Sequence, residues 1–197
     1  MNKTLLLGFA ALMLSPAAHA DWEVTAGYAN FSDVYWNANL GALTIGAGYN
    51  FKINDRFSIV PGIFLGTGIK DDERDLRIGA TVDNQPFSYD VEATVKLSNY
   101  YGVSAQARFD LTPTVYLFAT PSYSKIELKY DVDTEESEQN LPYDYSFTDD
   151  LGWHLALGLG AGFRLTDMWS LEAGYEFSEQ SDYDTPDIAS VKLRLSF

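Results

Sequence analysis

From Leu43 onward the chain repeats with a period of two residues, and no other feature limits its fold as much. Leu43, Ile45, Ala47, Tyr49 and Phe51 alternate with Thr44, Gly46, Gly48 and Asn50, and Phe57, Ile59, Pro61, Ile63 and Leu65 with Ser58, Val60, Gly62, Phe64 and Gly66. A helix would scatter such residues around its circumference, whereas a strand sends them to opposite faces. In the longest run, Tyr89, Val91, Ala93, Val95, Leu97, Tyr101, Val103, Ala105, Ala107 and Phe109 share one parity, interrupted by Asn99. Every charge in that run, Asp90, Glu92, Lys96 and Arg108, takes the other parity, as does Gln106. Leu151, Trp153, Leu155, Leu157, Leu159, Ala161, Phe163 and Leu165 form a further apolar face, backed by Gly152, His154, Ala156, Gly158, Gly160, Gly162 and Arg164. Trp169 to Phe177 and Ala189 to Phe197 repeat the pattern, with Glu172, Glu176, Lys192 and Arg194 on the polar parity.

With 22–31 and 115–130 added, the pattern predicts eight strands, at about 22–31, 38–51, 57–69, 88–109, 115–130, 147–165, 169–179 and 188–197. An even number suits a closed antiparallel barrel. Short turns at 52–56, 110–114 and 166–168 alternate with mostly longer connections near 70–87, 131–146 and 180–187, the asymmetry of barrels that cross an outer membrane. The fold class expected is therefore all-β: an eight-stranded antiparallel transmembrane β-barrel with short periplasmic turns and longer extracellular loops. The soluble alternative, a sandwich or lipocalin-like barrel, would put its apolar face inside. Here the polar face is rich in Gly, Ala, Ser and Thr, as in a narrow lumen, and the apolar face carries Leu, Trp, Tyr and Phe, as in a wall against lipid. Trp22, Phe51, Phe57, Phe109, Trp169 and Phe197 mark one aromatic girdle, and Tyr101, Tyr123, Trp153 and Tyr175 the other. Pro61 and Pro121 each remove a ladder donor, so a bulge or an irregular bond is expected at both.

No stretch after Ala20 approaches the ~20 apolar residues that a spanning helix needs. Met1 to Lys3, the apolar Leu5 to Leu14, and the small-x-small site Ala18-His19-Ala20 read as a cleaved export signal over residues 1–20. The barrel domain is then 21–197. The 197 residues carry 13 Lys+Arg against 28 Asp+Glu, a formal net charge of −15, with no cysteine. That balance argues against a nucleic-acid partner, because such binding sets cations against phosphates. A cysteine metal site and a disulfide framework are excluded.

The export signal, the eight alternating segments and the C-terminal Val191-Lys192-Leu193-Arg194-Leu195-Ser196-Phe197 together resemble the small outer-membrane barrels of Gram-negative bacteria. These are the OmpX/Ail, opacity-protein and OmpA-barrel group, often called a porin family or outer membrane protein beta-barrel domain. The resemblance covers the whole mature chain. It implies residence in the cell outer membrane among lipid and lipopolysaccharide, and recognition of Phe197 by the barrel assembly machinery. It also implies a role in envelope integrity, adhesion or resistance to host factors. The full-length OmpA type adds a peptidoglycan-binding periplasmic domain, but the resemblance here is to the barrel alone, so it does not imply anchoring to the cell wall.

On the inward face Glu23, Glu172 and Glu176 can meet Arg108, Arg164, Lys192 and Arg194. Glu172 with Arg194 and Glu23 with Arg194 are expected contacts, because strand eight neighbours both seven and one. The set reads as a structural plug of ion pairs, since eight strands leave an interior just wide enough for side chains. A polar gate or narrow conduit for small solutes or ions is the alternative. Asp131, Asp133, Glu135, Glu136, Glu138, Asp144, Asp149 and Asp150 make the 131–150 connection acidic, with no Lys or Arg. Such a loop reads first as a solvated connection kept soluble by its charge; the other reading is attraction of a basic or host-surface ligand, or of divalent cations bridging to lipopolysaccharide. It does not fit a calcium loop, because Glu136 takes the required Gly position and Pro142 the closing Glu. Asp71, Asp72, Glu73 and Asp75, mixed with Lys70, Arg74 and Arg77, read as a solvated loop. Catalysis has one possible base, His154, expected to be a polar lumen residue with no His-x-Ser motif beside it; a lipid A-modifying enzyme is a distant third reading. Gly158 to Gly162 lies within a strand and makes room for neighbours rather than for a phosphate. The expectation is a monomer without cofactor or metal and without enzymatic activity, acting through its loops.

Overall fold

The computed structural model describes residues 22–32, 38–82, 85–134, 145–178 and 186–197. The export signal, the acidic positions Glu135, Glu136, Glu138 and Asp144 and Pro142 lie outside them. So do the side chains of Arg74, Asp75, Arg77, Tyr89, Asp90, Val91 and Asp133.

Among the described residues ten strands follow one another: β1 (Trp22–Ser32), β2 (Asn39–Tyr49), β3 (Phe51–Lys52), β4 (Phe57–Lys70), β5 (Asp72–Val82), β6 (Gln85–Asp110), β7 (Val115–Thr134), β8 (Tyr145–Arg164), β9 (Trp169–Ser178) and β10 (Asp187–Ser196). β3 continues β2 past Asn50 and β5 continues β4 past Asp71, so the ten make eight staves. All are antiparallel, and the pairings β1 with β10 and β4 with β6 close the ring. Closure leaves the wall no open sheet edge, so its backbone N–H and C=O groups pair within the sheet except where the two prolines interrupt it, the condition for crossing hydrocarbon without water. The ends are clasped where the chain closes: Trp22 N donates to Phe197 O at 3.2 Å and Phe197 N to Trp22 O at 3.0 Å.

The connection expected at 70–87 is largely a hairpin, in which β5 pairs with the start of β6 from Asp72↔Val95 to Val82↔Gln85. β7 and β8 likewise run on to Thr134 and from Tyr145. One side of the barrel therefore rises well above the rim defined by β1, β2, β9 and β10. The two prolines break ladders without a bulge. Pairing of β4 with β2 stops at Gly48↔Gly62 and resumes as Phe51↔Ile59 in the same register around Pro61. The β6 to β7 ladder skips from Ser104↔Ser122 to Ala107↔Ala119, across Pro121.

Bulges do occur, and they correct the faces read from parity. A register shift between Leu97 and Asn99 inserts Ser98 into β6, so the parity that faces outward below it faces inward above it. Val95 and Leu97 are buried in the barrel with Tyr100, Gln106 and Arg108, and Lys96 turns to the outer face. A second shift lies at Lys125/Glu127 opposite Asp150 to Trp153, where Gly152 takes a φ of +73°, a left-handed conformation natural to glycine. It rotates Leu151, read as outward, against the inner core. Below these bulges the alternation holds. Val103 is 52%, Leu157 45% and Leu159 48% exposed on the outer wall, whereas Glu23 is 1% and Glu172 2% exposed inside.

The inside has two layers. Towards the short turns lie the buried charges. Towards the long connections lies an apolar layer built from Phe31, Leu40, Val95, Leu97, Ile126, Leu128 and Ile188, with Tyr100 set edge-on to Phe31 at 5.0 Å.

Candidate functional site

Four side chains from β1, β6, β9 and β10 converge in the lumen. Strand pairing makes this possible, since β10 lies between β1 and β9 and sets Arg194 within reach of acids on both. Arg194 grips Glu172 with two donors, Nε to Oε1 at 2.9 Å and Nη2 to Oε2 at 2.8 Å, and donates Nη1 to Glu23. Across the lumen Arg108 holds Glu23 with Nη1 at 2.7 Å and with Nη2. Two positive and two negative groups thus neutralise one another through forked, charge-assisted bonds, the geometry that offsets the desolvation of buried ions.

Neutral groups complete this quartet. Gln106 Oε1 accepts from Arg108 Nε at 2.6 Å and Arg194 Nη2 at 2.8 Å. Tyr116 OH donates to Glu172 at 2.7 Å, and Asn50 Nδ2 to Glu23 at 2.9 Å. Gln106 lay on the polar parity, but Tyr116 had no mark of its own. Its signal was on the neighbouring strand, where Gly160 and Gly162 face Phe118 and Tyr116 in register. Their missing side chains give the two rings room.

Three of the seven charges expected in this network sit elsewhere. Arg164 is at the short-turn end, with Nη2 on Asp110 at 2.7 Å, Nη1 on Pro113 O at 3.0 Å and its guanidinium 5.0 Å from the Tyr116 ring. Glu176 accepts from Tyr100 OH at 3.2 Å and Ser122 Oγ at 3.3 Å. Lys192 pairs with Glu172 in backbone register and, with Glu176, lines a cavity of about 90 Å³ between the charged and apolar layers. His154 Nε2 lies 3.0 Å from Ser124 Oγ, a contact between neighbouring strands invisible to a local motif. Among the described residues no carboxylate is bonded to its Nδ1. No cluster of three or more His, Cys, Asp or Glu among the described residues is placed to hold a metal.

Above Trp153, which stacks on Tyr123 at 5.0 Å and meets Tyr101 edge-on at 5.7 Å, the outer face turns to charge. Lys125 bridges Asp150 at 2.7 Å and Glu127 at 3.3 Å, and Asn99 Nδ2 donates to Glu127 at 2.7 Å. The hydrogen bond to Asp150 holds the Lys125 ammonium well above its usual range, and Asp150 is lowered in turn by Lys125. Asp131 is shared by Lys129 at 2.9 Å and Lys96 at 3.3 Å, and Lys96 also reaches Asp71 at 3.7 Å. The hydrogen bond from Lys129, followed by one from Ser146, draws Asp131 down from 3.8 to about 2. A carboxylate depressed in the folded state stabilises it above the unfolded value and loses that effect as pH falls through the folded one. NMR titration of the Asp131 carboxyl should give a midpoint of about 2 that rises towards 3.8 in Lys129→Ala. A midpoint unmoved by the substitution would contradict this assignment.

A model of the family described as outer membrane protein beta-barrel domain matches residues 4–197. No curated protein matches. Among solved structures, the chain is similar to Ail, the attachment invasion locus protein of Yersinia pestis, with 17% identity, a TM-score of 0.45, and coverage of 91% of this chain and 98% of that one. It is similar to Neisserial surface protein A, with 19% identity, a TM-score of 0.48, and coverage of 89% and 96%. The N-terminal β-barrel domain of Pseudomonas aeruginosa OprF gives 13%, 0.43, and 89% and 96%.

Proposed function

From the premise that this chain belongs to the family of outer membrane protein beta-barrel domains, we propose that it acts at the cell surface through its acidic outer connections. The roles that fit are envelope integrity, adhesion or resistance to host factors. Its place is the outer membrane. The observation that carries the reading is the filling of the lumen in two successive layers, a neutralised charge quartet and an apolar layer above it. An apolar constriction repels hydrated ions, and a paired quartet offers them no free site. With the interior devoted to the wall, the groups left to meet a partner are those beyond the girdle, where the 131–150 stretch carries eight acids and no base, two of them, Asp131 and Asp150, already paired with lysines of β6 and β7. Such a surface suits a basic ligand, approached more slowly as salt rises. Lipid and lipopolysaccharide are its surroundings and the barrel assembly machinery its partner during biogenesis. It works as a monomer without cofactor or catalytic step.

Two measurements test this. Folded protein in a planar bilayer should give no reproducible conductance steps; steps that vanish when Lys192 is neutralised would favour the narrow channel instead. Cells displaying the chain should bind a cationic peptide, and the triple substitution Glu135→Gln, Glu136→Gln and Glu138→Gln should weaken that binding. Equal binding by both would sink the proposed role of the loop.

A further inference from the structure

We infer that the three short turns are themselves seated in the lipid interface and form an anchoring ring at that end of the barrel. The turns share one design. Ile53 N and Asn54 N both donate to Phe57 O, Leu111 N and Thr112 N to Val115 O, and Leu165 N and Thr166 N to Trp169 O. In each, the second residue folds its side chain back over the turn. Asn54 Oδ1 accepts from Arg56 N and Phe57 N, Thr112 Oγ1 from Thr114 N and Val115 N, and Thr166 Oγ1 from Met168 N and Trp169 N. Asx and Ser/Thr turns of this kind satisfy backbone donors without water.

In each turn the first residue is a large aliphatic side chain left open: Ile53 is 59%, Leu111 52% and Leu165 53% exposed. A loop bathed in water gains nothing from an exposed aliphatic residue at the same place three times. Each continues the outward apolar column of its own strand, after Phe51, Phe109 and Phe163, so the turns extend the lipid-facing wall without a break. The span agrees. Along β8 the ten steps from Phe163 back to Trp153 climb about 25 Å, at ~3.3 Å per residue and a tilt of ~40°, which matches the apolar band of such barrels. Leu165 lies one rung past it, at headgroup depth. The partner is therefore the phospholipid leaflet on the short-turn side, and the ring fixes how far the opposite wall stands above the membrane.

The absence of cysteine allows a direct test. Ile53→Cys, Leu111→Cys and Leu165→Cys would each be labelled with an environment-sensitive fluorophore, folded into phosphatidylethanolamine/phosphatidylglycerol vesicles and purified as the folded gel band. Asp55→Cys and Asp167→Cys report the turn tips. Labels replacing the aliphatic residues should be quenched more by a lipid-borne nitroxide and less by aqueous iodide than those at the tips. Iodide quenching as strong as at the tips, at two or more of the three positions, overturns the inference.

Discussion

Replacing Arg194 with methionine should destabilise the barrel by about 3–5 kcal/mol, the cost of removing one partner from a buried charge pair. The loss falls mainly on Glu172. Glu23 keeps the two-pronged grip of Arg108 and the Asn50 amide, whereas Glu172 is left with Tyr116 OH and a long bond from Gln106 at 3.4 Å. Adding Glu172→Gln should therefore recover a large part of the loss, and adding Glu23→Gln much less, because the uncompensated carboxylate is the one at 172. Arg194→Lys should fall between, since an ammonium keeps the charge but not the fork that serves Glu172 and Glu23 together. Urea midpoints in lipid vesicles give the comparison. Equal rescue by the two glutamine substitutions would show that the quartet does not partition as the hydrogen bonds indicate.

Gly162→Ala should cost about 1–3 kcal/mol by overpacking, with Gly158→Ala close to neutral. A Cβ on Gly162 would stand 2.1 Å from Tyr116 Cζ, whereas one on Gly158 would find Thr120 Cβ at an ordinary 3.5 Å. The Tyr116 ring has little freedom to give way. Its hydroxyl is held by Glu172, and Arg108 and Arg164 lie 5.5 and 5.0 Å from its centre. In a Tyr116→Val background the penalty should largely vanish, giving a coupling that a double-mutant cycle reads directly. A penalty independent of residue 116 would place the strain in the backbone instead.

The architecture was legible because a barrel writes its two faces at alternate positions, and a period of two survives wherever pairing is regular. It fails where a residue is inserted. Asn99 was visible as the only break in a long apolar parity, yet the exchange of faces at Ser98, which buries Leu97 and exposes Lys96, follows from β6 meeting Leu128 and Glu127 on β7 in shifted register. Gly152 read as an ordinary small lumen residue, and only its positive φ explains why Leu151 turns inward. Charge parity put Lys96 on the face of Arg108, which the bulge at Ser98 overturns, and it carried no information on height along the axis. Arg164 and Glu176 share a face with Glu172 and Arg194, and their places along the axis separate them into different contacts. Tyr116 was hidden for the opposite reason, since a large aromatic ring looks like wall until the glycines beside it are paired with it.

Lipid-borne nitroxide in nanodiscs tests the inversion at the centre of this structure most directly, read as broadening of assigned methyl signals. Val103, Leu157 and Leu159 should broaden strongly, while Leu97, Ile126 and Leu128, equally apolar but inside, should stay sharp. Protection of the first set with broadening of the second would mean that the oily face is the core and the charged face the wall.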